Sequence, residues 1–207
     1  MEAHAFAVGE KSQRQETQHD HRTAQGEVAH RWLCVTHAAP ACHCHCRQQE
    51  WRGQQQLHAA LQLGAEFYGT PLGLISRIED ENSQVLAQFS PPGTLQDGQY
   101  FSLGDTYCTL TLSGCDVLAI DHMGSSEYAH HPCYSAFGLE TYIGIAVIVS
   151  DRVFGTLAFC SVEPRKIPFD DAELEFLRLF SRWVGTTLER QQQEQTRQAL
   201  LQRLDES

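Results

Sequence analysis

No run of apolar residues in this sequence approaches the roughly 20 that a membrane-spanning helix needs, so no transmembrane segment and no membrane partner are expected. The opening, MEAHAFAVGEKSQRQE, lacks the basic start and apolar core of a secretory leader. Without an export signal, the eight cysteines are expected as reduced thiols in a cytoplasm, or as metal or redox groups, rather than as a disulfide framework. Basic charge is also short. The formal net charge is −11, and residues 1–56 balance six acidic against six basic side chains, so the whole excess falls on residues 57–207. A domain that acidic repels a phosphate backbone, which excludes nucleic acid as an expected partner. No phosphate-binding glycine loop, DNA-binding motif or kinase motif is present.

Residues 1–56 are poor in Leu, Ile and Val and follow no period of 2 or 3.6, so they read as a disordered N-terminal extension. Their contrast with the patterned residues from Leu57 onward would also fit a natural start nearer Trp51 or Leu57. The cluster Cys42-His43-Cys44-His45-Cys46, with His30, Cys34 and His37 upstream, has soft ligands. Structural zinc sites space their ligand pairs by two to four residues and need a second pair held by a fold, and this run lacks both, so no metal site is expected.

From Leu57 the pattern changes. Leu57, Ala60, Leu61, Gly64, Ala65 and Tyr68 recur at helical spacing, and Gly69-Thr70-Pro71 ends the helix. Leu72 to Ile78 and Gln84 to Phe89 read as a hairpin, and Tyr100 to Leu103 as a short strand. Asp105 is placed to cap a helix from Thr106 to about Leu112. Cys108 would then lie in its first turn, where the dipole favours a thiolate. Val117 to Ile120 is a strand delivering Asp121 and His122. Pro132 suits the first turn of a second short helix that gathers His130, His131 and Cys133 ahead of Glu140. Tyr142 to Val149 and Val153 to Phe159 form a buried hairpin. Asp170 and Glu173 make a capping box, and Phe169 with Leu174 a hydrophobic staple, for a final helix. That helix carries Leu177, Phe180, Val184 and Leu188 on one seam. At about 1.5 Å per residue it spans roughly 50 Å to Leu204, longer than one domain's face, so its end is expected to project. A seam of this kind commonly serves to dimerise.

The order of elements, with the phrases LGDTYC, HPCY followed by LETYIG, VFGTLAF, and FDDAELEFLRLFSRWVGTTLER, resembles the GAF family, and most closely the GAF modules of bacterial multi-sensor histidine kinases. The resemblance covers Leu57 to about Arg190 and leaves 191–207 as a projecting helix or coiled-coil linker. It implies an α+β fold, an antiparallel sheet flanked by helices with a long C-terminal helix. It also implies a non-catalytic regulatory role in signal transduction, a homodimer through the C-terminal helix, and a histidine kinase or other output module downstream. The expected ligand site is Phe101, Asp105, Cys108, His122, His131, Cys133, Glu140 and Tyr142, with the ligand and any cofactor left open.

Bilin-binding relatives attach their chromophore through a cysteine followed by histidine, whereas Cys133 is followed by Tyr134, and no Asp-x-Cys-Phe phrase offers a second linkage. The free methionine-(R)-sulfoxide reductases are the alternative. Cys108, the phrase His130-His131-Pro132-Cys133 and Glu140 resemble their cysteines and glutamate. The two acids of their late strand, however, fall on Ala158 and Cys160, and a further cysteine falls near Gly98. Thiol redox chemistry at Cys133 and Cys108, or a purely structural dimerisation domain, are the competing expectations.

Overall fold

The computed structural model describes the backbone of residues 41–205 and the side chains of residues 53–205. Contacts divide the chain into two units, Met1–His45 and Cys46–Ser207, and the sheet and all the described side chains belong to the second. Helix α1 (Ala41–Tyr68) leads into the hairpin β1 (Leu72–Glu79) and β2 (Asn82–Phe89), then β3 (Tyr100–Ser102). Next come α2 (Cys108–Ser113), β4 (Leu118–Ile120) and α3 (Pro132–Phe137). The hairpin β5 (Thr141–Val149) and β6 (Arg152–Ser161) comes after them, then α4 (Asp171–Asp205). The six strands form one sheet in the order β3-β2-β1-β6-β5-β4, and every neighbouring pair is antiparallel.

Alternation along the strands sends side chains to two different layers. One face of the sheet carries Ile75, Ile143, Val147, Leu157 and Phe159, covered by Leu57, Leu61 and Ala65 of α1 and Leu177, Phe180, Val184 and Leu188 of α4. The other carries Leu72, Tyr142, Ala158 and Cys160, covered by Tyr107, Met123 and Cys133 from the segments between β3 and β5. The turn joining β5 to β6 needs only Ser150 and Asp151, both at positive φ (49° and 59°), the backbone twist that suits a two-residue hairpin loop.

Three expectations change, and a fourth falls outside the described residues. The helix predicted from Leu57 begins at Ala41, so the part of the supposed disordered extension from 41 to 56 is helical, and Gly53 is buried where α1 meets Gln191. The Cys42–Cys46 cluster lies where side chains fall outside the described residues. Asp105 does not cap α2: it sits in a 3-10 turn (Leu103–Asp105), Thr106 is extended at φ −112° and ψ 157°, and Tyr107 is the N-cap with no side-chain bond. Leu177, Val184 and Leu188 are 0, 0 and 5 % exposed. They belong to the core rather than to a dimer seam, because the sheet offers them a nearer apolar surface.

The capping box forms as expected. Asp170 N–H donates to Glu173 Oε2 at 3.0 Å and Glu173 N–H to Asp170 Oδ1 at 2.8 Å. Phe169 and Leu174 pack on the same core cluster.

Candidate functional site

The face of the sheet opposite α1 and α4 is roofed by residues 101–140, and its centre is a pair of tyrosines. Tyr142 rises from β5, 2 % exposed, and stacks on Tyr107 with ring centroids 5.1 Å apart at 20°. Its hydroxyl shares a hydrogen bond of 2.6 Å with Thr111 Oγ1 on α2. The Tyr107 hydroxyl donates to the Leu139 carbonyl at 2.9 Å. Desolvation pushes both phenols above their ordinary range, so both stay neutral donors.

Cys133 lies beside this pair with 0 % exposure. Its thiol is 2.9 Å from His131 Nδ1, and its backbone N–H donates to that nitrogen at 3.3 Å. The ring nitrogen is therefore an acceptor that caps α3. Burial pushes the Cys133 thiol up to about 11, partly offset by the N–H groups of Tyr134 and of Cys133 itself. Burial likewise pushes Cys160, on the same face, up to about 12. Neither is a thiolate at neutral pH.

Glu140 ties the roof to the sheet. Its backbone carbonyl accepts from Met123 N–H at 2.7 Å, one carboxylate oxygen accepts from Gly124 N–H at 3.0 Å, and the other from the Tyr134 hydroxyl. His122 Nε2 lies 3.5 Å from the carboxylate, with its own ring half exposed. Desolvation pushes the Glu140 carboxyl up, but Tyr134, Gly124 and His122 together outweigh it, so it ionises below its ordinary value. The loop after β4 and helix α3 are thus pinned by a single anion.

Of the eight expected site residues, Cys108, His131, Cys133 and Tyr142 converge beneath the roof, and His122 and Glu140 form its latch. Phe101 stands at the margin, edge-on to Phe137 at 5.6 Å. Asp105 is exposed on its 3-10 turn, and among the described residues no side-chain hydrogen bond joins it to the group. Sequence reading passed over Tyr107, Thr111 and Tyr134. Tyr107 and Tyr134 flank Cys108 and Cys133 in the chain, but only the fold shows them turned inward. Among the described residues no group of three or more His, Cys, Asp or Glu is arranged to hold a metal ion.

The GAF domain family model matches residues 52–188 of this chain. The chain belongs to the GAF domain family. No curated protein matches it in sequence. Among solved structures, this GAF domain is similar to the blue-light absorbing form of the PixJ GAF domain from Thermosynechococcus elongatus (TM-score 0.57, 16 % identity, covering 73 % of this chain and 94 % of that one). It is similar to the phycoerythrobilin-bound GAF domain of a cyanobacterial phytochrome (TM-score 0.58, 15 % identity, 72 % and 91 %). A third is the type II free methionine-R-sulfoxide reductase from Thermoplasma acidophilum (TM-score 0.53, 16 % identity, 67 % and 93 %). At these identities the likeness is one of fold.

Two consequences of the geometry are measurable. A place in the first turn of α2 would suit a Cys108 more reactive than Cys115 or Cys160, but this GAF domain buries Cys108 at 6 % exposure while Cys115 is exposed. In the native protein a maleimide should therefore label Cys115 first, with Cys108, Cys133 and Cys160 protected until unfolding. Peptide mapping after a short pulse checks it, and early label on Cys108 would contradict this packing.

The second concerns acid. Because folding depresses the Glu140 value, the latch contributes in full above the ordinary carboxylate value of about 4.3. Its contribution falls away as pH drops through the lower folded value. The difference in thermal midpoint between wild type and Glu140→Gln should be greatest above about pH 5 and shrink below about pH 4. A difference independent of pH would show that the charge of Glu140 does not matter.

Proposed function

We propose that this GAF domain is a non-catalytic, small-molecule-sensing regulatory module. A ligand enters between the sheet and residues 101–140, displaces part of the Tyr107 and Tyr142 packing, and releases the His122–Gly138 segment from its latch. The change passes through α4 to an output module such as a histidine kinase, in a cytoplasmic setting. Residues 57–190 are the sensor in this reading, and 191–207 the projecting linker.

The observation that carries the reading is the double use of β5. Tyr142 points from one face into the roofed layer, and four residues on, the Ala146 carbonyl accepts a hydrogen bond of 2.8 Å from the Ser181 hydroxyl of α4. The backbone of Gly185 lies so close to the Ile148 carbonyl that a Cβ there would stand 2.3 Å from its oxygen. A ligand that shifts Tyr142 therefore pulls on a strand to which α4 is hydrogen-bonded and closely packed. The small ligands of bilin-binding relatives are consistent with such a layer. The reductase alternative finds less support, since Ala158 and Cys160 are buried where that family has acids, and Cys133 is a neutral thiol.

Native mass spectrometry of freshly purified protein tests this. The expected result is a bound small molecule that is lost on denaturation and absent from Tyr142→Ala, with faster hydrogen exchange in α4 when it leaves. Turnover of free methionine-(R)-sulfoxide by wild type but not by Cys133→Ser would overturn the non-catalytic reading.

Self-association we assign to the outer sides of α1 and α4, where Leu63, Phe67, Leu179 and Trp183 are 66, 50, 55 and 42 % exposed. Phe67 and Phe176, with ring centroids 4.3 Å apart, join the two helices into one apolar strip. Sedimentation should show wild-type dimers and a folded monomer for Leu179→Glu with Trp183→Glu. An unchanged dimer would place the interface elsewhere.

A further inference from the structure

Both ring nitrogens of one histidine face acceptors. His58 on α1 places Nδ1 2.9 Å from the Gln88 carbonyl oxygen of β2, and Nε2 2.8 Å from Asp97 Oδ2 in the connection between β2 and β3. One oxygen belongs to a peptide and the other to a carboxylate, so neither can donate. A neutral imidazole has one N–H and one bare nitrogen. In that form one of the two contacts sets a lone pair against an oxygen, and only the imidazolium donates to both. Gln54, one turn earlier on α1, adds two donor bonds from its Nε2, to Asp97 Oδ2 at 3.1 Å and to the Leu86 carbonyl at 2.8 Å. Strand geometry leaves these acceptors available. Leu86 is the extra residue of a bulge, since Ile75 pairs with Ala87 and Ser76 with Val85, and β3 pairs with β2 only at Asn82, Ser83 and Gln84. Donors from α1 therefore take carbonyls of the strand's remainder and reach the connection beyond it.

We propose that His58 and Asp97 form a proton-dependent tether between α1 and residues 90–99, closed when the ring is charged and released when it is neutral. The device is independent of ligand entry into the roofed layer. Among the described residues, Asp97 is the one charged side chain that bonds the ring, while β2 presents a peptide carbonyl and α1 sets the uncharged Gln54 amide on the same carboxylate. Loss of the ring proton removes the charge that strengthens the bond to Asp97. It also leaves one nitrogen facing an oxygen with no hydrogen between them, so the ring must turn from one of its two partners. The connection has few other anchors. Gly98 N–H donates to the Val85 carbonyl at 2.7 Å and Val85 N–H to the Gln99 carbonyl at 2.8 Å, which fix its end beside the sheet, and Thr94 N–H donates within it to the Pro91 carbonyl at 3.1 Å. Its hydrogen bonds to α1, among the described residues, all run through Asp97. The segment leads directly into β3 and the residues that roof the second layer, so the proton acts at the entrance to that roof.

Amide hydrogen exchange of the full chain, corrected for the intrinsic rate at each pH, tests the tether. As pH falls from about 8 to about 5.5, across the range in which an imidazole takes up its proton, protection at Thr94, Gly98 and Gln99 should rise about threefold, the size of an exposed ion pair. The rise should vanish in His58→Gln and in Asp97→Asn. It should persist in His122→Gln, which removes the half-exposed histidine of the roof beside Glu140. Ring-nitrogen NMR should show hydrogens on both nitrogens of His58 wherever the segment is protected. The His58 and Asp97 side chains are 36 and 37 % exposed, so both variants should fold, as circular dichroism checks, and if one does not the other is read alone. Equal protection at the two pH values in wild type, a response that survives both variants, or a neutral His58 ring in the protected state would overturn the tether.

Discussion

Glutamate at both Val184 and Leu188 is expected to abolish the cooperative unfolding transition altogether. Both residues are buried, at 0 and 5 % exposure, within the layer shared by α1, α4 and the sheet. Each replacement forfeits roughly 1.5–3 kcal/mol of apolar burial. Each also forces a carboxylate with no partner into that layer, or drives it to take up a proton, at a cost of several kcal/mol. Against a total stability of about 5–15 kcal/mol, the pair is sufficient to unfold the domain. Circular dichroism melts check it. The Leu179→Glu and Trp183→Glu pair, on the exposed side of the same helix, should melt close to wild type. A folded Val184→Glu, Leu188→Glu protein that had merely become monomeric would restore the dimer seam the sequence suggested.

Gly155→Ala should be the next most damaging change, although it adds a single methyl group. Gly155 lies in β6 opposite Arg77 of β1 and Val147 of β5. A Cβ there would stand 1.7 Å from the Ser76 carbonyl oxygen, 2.7 Å from its carbon and 3.1 Å from the Arg77 Cα. All three are backbone atoms, so no side-chain rotation relieves the contact and the two strands must part. A cost of about 3 kcal/mol, the upper part of the usual range for overpacking, would lower the midpoint of a chain this size by about 6–12 °C. The variant should melt early. An unchanged midpoint would mean that the strands do not approach so closely at Gly155.

The capping box at Asp170 and Glu173, the β5–β6 hairpin and the alternation that buries Ile143, Val147, Leu157 and Phe159 were all legible in the chain. Each rests on contacts between residues a few positions apart, or on a period that any local window contains. The N-terminal part of α1 was not legible, because residues 41–56 are helical without an apolar stripe of the usual kind. Asp105 failed as a cap for a related reason. Its residue type suits an N-cap, but the backbone at Thr106 is extended, and no local rule reported it.

The candidate site divides along the same line. The order of elements placed Cys108, His131, Cys133, Glu140 and Tyr142 in one stretch of the chain, and its resemblance to the GAF family implied the α+β sheet that carries them. Only the tertiary structure decided what each does there. It turned Tyr107 onto Tyr142, brought the Tyr134 hydroxyl and Gly124 N–H to Glu140, buried Cys108 and left Cys115 outside. It also brought Ser76, Ser83 and Thr156, up to 80 residues apart in sequence, to the same sulfur. Burial, hydrogen-bond direction and the choice of helix face all depend on groups from distant strands meeting in space, and no window along the chain contains both partners.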